Sequence, residues 1–304
     1  MPVSSIADRQ NTPDVLTLAR AMTAAHARVQ RLEGGRIIMS VLVALTSTAA
    51  VLVPTLTAPV ATLGAGWALL QGLGFTVWTQ RALSRAAAAQ ELFDVTLFGI
   101  EWNTAAAGSR PPPAEISDLA RRFRGPEHLV RDYYEVRGVV DDLPWPLDVL
   151  ACQMQNLHWG ARIRRRFAAA VLALLISWPL AGILAGTLLQ MPIGQLLVIW
   201  FVPALGMLLT ASDLYRRQAE TSATRSRVLA LVTDRFREQR DRPAATADLT
   251  VLARQVQDVL LATRRTQARV PDWFFLHFRP RDRVDFQREV ADLGRSAPKR
   301  PSSP

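Results

Sequence analysis

Four histidines, His26, His128, His158 and His277, and a single cysteine, Cys152, are the residues of this 304-residue chain best suited to metal ligation or nucleophilic chemistry. Their spacing supports neither. No histidines are paired as a zinc site needs, and no cysteine cluster accompanies them. Cys152 and His158 stand six residues apart, which on a helix puts them on different faces and excludes a nucleophile–base dyad within that helix. No Walker-type phosphate loop and no Gly-x-Ser-x-Gly elbow occurs. A non-enzymatic protein without cofactor or metal is therefore expected, and a lone cysteine permits no intrachain disulfide.

The elements that carry these residues follow from the distribution of charge. The chain has 36 basic against 26 acidic residues, a net charge of +10 and a mean hydropathy of +0.10. Two stretches contain no ionisable residue. Residues 37–80 and 167–212 each run for about 45 residues, roughly twice the 20 or so that one membrane span needs. Pro54 to Pro59 offers a turn in the first run and Gln190-Met191-Pro192 one in the second. The expected fold is an all-α membrane protein: two transmembrane helical hairpins, four spans, with a cytoplasmic helical bundle. The expected organisation is an N-terminal cytoplasmic helix over 1–35, hairpins over 36–80 and 167–212, cytoplasmic helical segments over 81–166 and 213–294, and a disordered tail over 295–304.

Orientation follows from the arginines. The turns within the hairpins are short and uncharged, whereas Arg28, Arg31, Arg36, Arg81, Arg85, Arg162, Arg164, Arg165, Arg166, Arg216 and Arg217 crowd the other span ends. Basic residues stay on the cytoplasmic side, so a multi-pass membrane protein with both termini inside is expected, without a cleaved signal peptide. Topology and anionic headgroups account for the basic excess, and no polymeric nucleic-acid partner is expected. Inside the spans, Gly182 and Gly186 form a GxxxG, Ser40, Ala44 and Thr48 a small-residue ridge, and Gln71 lies deep in the second span. These surfaces suit packing within the monomer or between subunits. Gln71 is expected either to line an aqueous path or to bond a neighbouring helix. Pro179 and Pro203 are candidate kinks and gating elements.

In the charged segments, Val15, Leu18, Met22, Ala25, Val29 and Leu32 recur at steps of three and four, and Gly34-Gly35 reads as a break before the first span. The second span continues as a helix to about Ile100. Short helical patterns follow over 114–123 and 127–134, then a long helix from Leu147 into the third span. Helices over 213–238 and 248–269 are separated by a break at Arg242-Pro243. Leu249, Leu252, Val256, Val259 and Leu260 form one apolar stripe of the last helix.

Three strings in the central segment resemble blocks of one family. Gln90-Glu91-Leu92-Phe93-Asp94-Val95-Thr96-Leu97-Phe98-Gly99-Ile100-Glu101-Trp102-Asn103 is similar to its Leu-Phe-Asp…Trp-Asn block. Arg131-Asp132-Tyr133-Tyr134 resembles its Arg-Asp-aromatic-Tyr element, and Cys152-Gln153-Met154-Gln155-Asn156-Leu157-His158-Trp159, followed by Arg162 and Arg164, resembles its Cys-Gln-x-x-Asn block. Val270-Pro271-Asp272-Trp273-Phe274-Phe275 looks like the motif that closes its last helix. The family is that of the SMODS-associated four-transmembrane (S-4TM) pore-forming effectors of CBASS antiphage defence. Glu101, Gly160 and Phe167 depart from its pattern, at places where proline, an acidic residue and tyrosine are usual.

The resemblance implies an effector that answers a cyclic oligonucleotide, made by a CD-NTase-type synthase, by compromising the bacterial inner membrane as a homo-oligomer, with cell death or growth arrest as the result. A cyclic oligonucleotide presents phosphodiester charges and stackable bases, so its receptor should pair arginine forks with aromatic faces. Cys152, Asn156, Trp159 and Ile163 share one helical face, with Gln153 and Arg164 beside it. Candidate ligand-binding residues are Trp102, Asn103, Arg131, Tyr134, Gln153, Asn156, Trp159, Arg162 and Arg164. The competing reading makes Trp102, Asn103, Asn156 and Trp159 the polar and aromatic glue of the bundle, since buried polar groups must be hydrogen-bonded whatever their function. Asp94, a structural or gating candidate, is expected to pair with an arginine such as Arg131 or Arg162. A different class of function, a non-conducting membrane-anchored scaffold, would dock a cytoplasmic partner protein through the stripes at 15–32 and 249–260.

Overall fold

The computed structural model describes residues 5–135, 143–241 and 244–296. The expected break at Arg242-Pro243, the last eight residues of the expected tail and the side chain of Thr48 lie outside that description. Among the described residues every regular element is helical. In order they are α1 (Ile6–Arg9), α2 (Pro13–Leu52), α3 (Thr57–Leu70), α4 (Thr76–Phe98), α5 (Thr104–Ala107), α6 (Pro113–Arg121), α7 (Leu147–Leu188), α8 (Ile193–Leu196), α9 (Val202–Asp241), α10 (Thr246–Thr266) and α11 (Asp272–Ser296). The chain divides into two compact units: a membrane unit, Val29–Arg81 with Arg164–Glu220, and a charged helical unit from the described residues of 1–28, 82–163 and 221–304.

Four helical stretches are long and apolar enough to cross a membrane, Pro13–Leu52, Pro54–Phe75, Leu147–Leu188 and Ile193–Gln239. Their outward faces carry Leu52, Leu73, Leu188 and Ile193, each at least 75% exposed. Apolar exposure on that scale suits lipid as solvent and is costly in water. The protein is a multi-pass membrane protein with four spans. A 3-10 turn at Pro54–Leu56 joins the first pair, and Gln190, at φ 51°, turns the chain between the second pair. One π-helical turn, Gln71–Phe75, links α3 to α4, and another, Leu197–Phe201, links α8 to α9. The second lies just before Pro203, whose ring and missing N–H disfavour regular α-helical bonding.

Gly34-Gly35 does not break α2, contrary to the sequence expectation. Each glycine costs about 1 kcal/mol relative to alanine, but a helix end there would expose unpaired backbone groups close to the bilayer. An ion pair from Arg36 to Glu33 at 2.9 Å spans the two glycines.

The charged unit is organised around Phe93, Phe98, Tyr134, Leu150, Met154, Leu157, Phe236 and Leu260, all essentially inaccessible. Val15 and Met22 of α2, and Leu249, Val256 and Leu260 of α10, point into this core. Gly99, at φ 67°, ends α4 in the left-handed conformation, and its N–H reaches Val95 O at 3.0 Å. The helical pattern over 127–134 yields only a 3-10 turn, Glu127–Leu129. Beyond it, side chains supply the backbone's partners. Gln10 Oε1 accepts from Tyr134 N at 3.0 Å, Gln10 Nε2 donates to Tyr134 O at 3.2 Å, and Asn11 Oδ1 accepts from Asp132 N at 3.2 Å. The sequence reading includes α11 in its helical segment over 213–294 but gives it no bounds of its own, because arginines and Pro280 interrupt its apolar period.

Candidate functional site

α4 places Glu91 and Asp94 three residues apart on its buried side, and α10 brings Arg254, Gln257, Asp258 and Arg264 to them. Asp94 Oδ1 accepts from Tyr134 Oη at 2.7 Å; its Oδ2 accepts from Arg264 Nη1 at 2.6 Å and Gln257 Nε2 at 2.9 Å. Gln257 Nε2 also donates to Glu91 Oε2 at 2.8 Å, and Arg254 Nη2 to Glu91 Oε1 at 2.6 Å. α7 closes one end: Asn156 Nδ2 donates to Tyr134 Oη at 2.8 Å, and Gln153 Nε2 to Gln257 Oε1 at 3.1 Å. At the other end Arg254 donates to Asp258 at 2.8 Å and to Glu101 O at 2.7 Å. Asn103 Nδ2 donates to Asp258 Oδ2 at 2.9 Å, while Asn103 Oδ1 caps α5 by accepting from Ala106 N at 3.2 Å. Glu91, Asp94, Tyr134, Gln153 and Gln257 are wholly buried. Such a network is favourable only when each charge is matched.

Its protonation states follow from burial and charge. Burial raises the Glu91 carboxyl above its ordinary value, against the hydrogen bonds from Arg254 and Gln257. Burial, reinforced by the Asp94 charge, raises the Tyr134 phenol well above its ordinary value, so it remains a donor to Asp94. Burial alone would lower Arg264, but the charge of Asp94 and the rings and carboxylate around it outweigh this and keep the guanidinium protonated. Burial likewise pushes the Cys152 thiol well up, which makes it a poor nucleophile. This arrangement suits the holding of charge in place more than the transfer of protons.

Among the residues singled out in the sequence, Asp94, Asn103, Tyr134, Gln153 and Asn156 meet in this network. Trp102 lies beside it, its Nε1 donating to Gly108 O at 2.8 Å and its ring 5.8 Å from the Arg110 guanidinium. Trp159 packs on Phe275 and Phe286 of α11, and Arg162 pairs with Asp285 at 2.7 Å and Asp282 at 3.6 Å. Arg131 is exposed, 3.8 Å from Glu127. Arg164 belongs to the membrane unit, where it is buried and donates to Gln218 at 2.7 Å. The arginine that meets Asp94 is thus Arg264, and not Arg131 or Arg162 as expected. Glu91, Arg254, Gln257 and Arg264 escaped the sequence reading. The available signal was Arg264, a charge four residues beyond Leu260 on the apolar stripe of α10. The departure at Gly160 has a steric counterpart: a Cβ there would overlap Arg225 Nη1, and Arg225 donates to Asn156 O at 3.2 Å and Thr263 Oγ1 at 3.0 Å.

The membrane unit holds a second polar cluster. Gln71 Nε2 donates to Ser40 Oγ at 3.0 Å and to Gly206 O at 3.3 Å, and Thr210 Oγ1 donates to Gln71 Oε1. Trp67 Nε1 also donates to Ser40 Oγ, at 3.1 Å. Gln71 therefore bonds neighbouring helices, one of its two expected roles. A Cβ on Gly64 would overlap the Pro203 backbone; one on Gly182 would overlap the Trp200 indole, and one on Gly186 would crowd Leu196. Trp200 stacks on Trp178 with ring centroids 5.0 Å apart. Pro179 lies within α7.

These features belong to a four-span helical membrane protein with a charge-rich helical unit. The chain matches the family model described as the SMODS-associating 4TM effector domain over residues 4–293, and it belongs to that family. It is also similar to a protein from Bacillus cereus (strain VD146) described as a probable CBASS effector molecule, with 20% identity over 283 residues, 88% of this chain and 91% of the relative. No solved structure matches.

Proposed function

We propose that this protein is an inner-membrane effector of bacterial cyclic-oligonucleotide antiphage signalling. Its charged unit binds a cyclic nucleotide made by a CD-NTase-type synthase, and the protein then opens pores in the membrane, or disrupts it, as a homo-oligomer, which leads to growth arrest or cell death. Both termini and the charged unit lie in the cytoplasm. The observation that carries this reading is that α2, α4, α7 and α9 each contribute residues to both units, so that a ligand-dependent change in the charged unit has a covalent route into all four spans. Ligand can shift such an equilibrium only through unequal affinity for the two states. Two buried donors, Arg264 Nη2 and Trp159 Nε1, and the acceptor Gln153 Oε1 lack hydrogen-bond partners among the described residues. An anionic, base-bearing ligand offers partners for such atoms.

The test is dye release from liposomes containing the full chain. Leakage is expected with the synthase product and not without it, and Arg162→Ala, in the charged unit, should abolish the response. Vesicles that stay sealed under every cyclic nucleotide tried would sink the sensing claim. The scaffold alternative draws less support, because its docking stripes are largely occupied: Val15, Met22, Ala25, Val29, Leu249, Val256 and Leu260 are all buried within the chain.

A further inference from the structure

The N-terminal half of α11 has one face committed to the protein and one that is not. On the inner side Phe275 packs against Trp159, and Asp282, 3% exposed, lies 3.6 Å from Arg162. On the outer side Trp273, Leu276, His277, Pro280 and Val284 follow at i, i+3, i+4, i+7 and i+11, one continuous helical face. Trp273 is 72% exposed, Leu276 51% and Val284 45%; His277 and Pro280 are also exposed. Ring contacts from Trp273 to Phe274 and from Phe274 to Phe278, at 5.5 and 5.1 Å, order the aromatic residues at its start. Between residues 273 and 284 the charged residues are Arg279, Arg281, Arg283 and Asp282, and Asp282 is the one buried. Arg279 and Arg283 pair with Glu135 at 2.5 and 2.7 Å, whereas Arg281 is exposed and carries the basic charge of the outward side.

We propose that this face of α11 docks into the headgroup boundary of the bilayer as an interfacial amphipathic helix selective for anionic lipid. Tryptophan and phenylalanine with flanking arginine form the side-chain set that partitions there, the rings into the acyl boundary and the guanidinium groups among phosphates. Charge favours lipid over a second copy of the chain, because a two-fold contact through this face would bring two exposed Arg281 guanidinium groups together. Four spans hold the protein in the membrane, so docking is intramolecular in effect and needs little intrinsic affinity. The proposal is independent of any nucleotide ligand and stands or falls apart from the sensing mechanism.

The experiment uses the full chain carrying Leu276→Cys labelled with an environment-sensitive nitrobenzoxadiazole. Cys152 is completely buried, and the unsubstituted protein measures its background labelling. In phosphatidylethanolamine–phosphatidylglycerol vesicles, label emission should shift to the blue, lose most of its intensity to headgroup-proximal nitroxide lipid, and resist aqueous iodide. Label at Arg235→Cys, an exposed site on α9, should show the opposite pattern. Trp273→Ala with Arg281→Gln should return the position-276 label to iodide, and all-phosphatidylcholine vesicles should weaken the nitroxide effect. Quenching of the position-276 label by iodide in the parent protein would overturn the proposal. So would protection from both quenchers, which would indicate cover by protein.

Discussion

Arg264 Nη1 stands 2.6 Å from Asp94 Oδ2, across 170 residues of sequence, with both side chains at or below 5% exposure. Removing one partner leaves the other charge buried and unmatched, at a cost of about 3–5 kcal/mol. Asp94→Leu and Arg264→Met should each lower stability by that order. The double variant should recover a large part of the loss, because an apolar pair needs no desolvated charge. Thermal unfolding of the detergent-solubilised chain measures the cycle; simple additivity of the two losses would show the residues to be uncoupled.

Glu91 lends the fold a pH dependence of defined sign. Its folded carboxyl lies above the ordinary value of 4.5, because burial outweighs the bonds from Arg254 and Gln257. The unfolded chain ionises first, so the folded state binds the additional proton between the two values. Stability therefore falls as pH rises through that window and levels off above it. Glu91→Gln should remove this component, which unfolding midpoints at a series of pH values would reveal. An unchanged slope would assign the titration to another group.

Gly64 and Gly66 make a matched pair in α3. A methyl group at Gly64 meets the Pro203 backbone, which has little room to yield, whereas one at Gly66 meets nothing within 4 Å. Gly64→Ala should cost about 1–3 kcal/mol through overpacking, while Gly66→Ala should gain about 0.5–1 kcal/mol from helix propensity. Melting temperatures of the two variants in one detergent should move in opposite directions.

Gln71 ties together residues of α2 and α9. Hydrogen bonds between membrane helices contribute about 0.6–1.7 kcal/mol each, so Gln71→Leu should destabilise the membrane unit by about 1–3 kcal/mol. Ser40→Ala should cost less, because Gln71 keeps Thr210 and Gly206 as partners. Equal losses would place the energetic centre of the cluster on Ser40.

The spans were legible because a run without charge is itself a physical statement about solvent, and it survives any arrangement of neighbours. The turns at Pro54 and Gln190 were legible for a similar reason, since proline and reversed φ act locally. Gly34-Gly35 misled because intrinsic propensity is a weak term against the continuity of a long helix. The 127–134 segment misled because Gln10 and Asn11, far away in sequence, satisfy its backbone. The bounds of α11 stayed hidden because the core-facing residues of a charged helix with an internal proline show little periodicity until a core exists to receive them.

By itself, the sequence determined the four spans, the concentration of charge outside them, the family-like blocks and the absence of a recognisable catalytic constellation, all of which depend on composition or local spacing. Only tertiary structure decided that Asp94 meets Arg264, that Asn103, Tyr134, Gln153 and Asn156 join one network, and that Arg131 stays at the surface. Helical period tells which face a residue occupies, but not which of the chain's 36 basic side chains will be packed against that face. That choice belongs to the packing of α4, α7 and α10, where the penalty for an unmatched buried charge selects the partner.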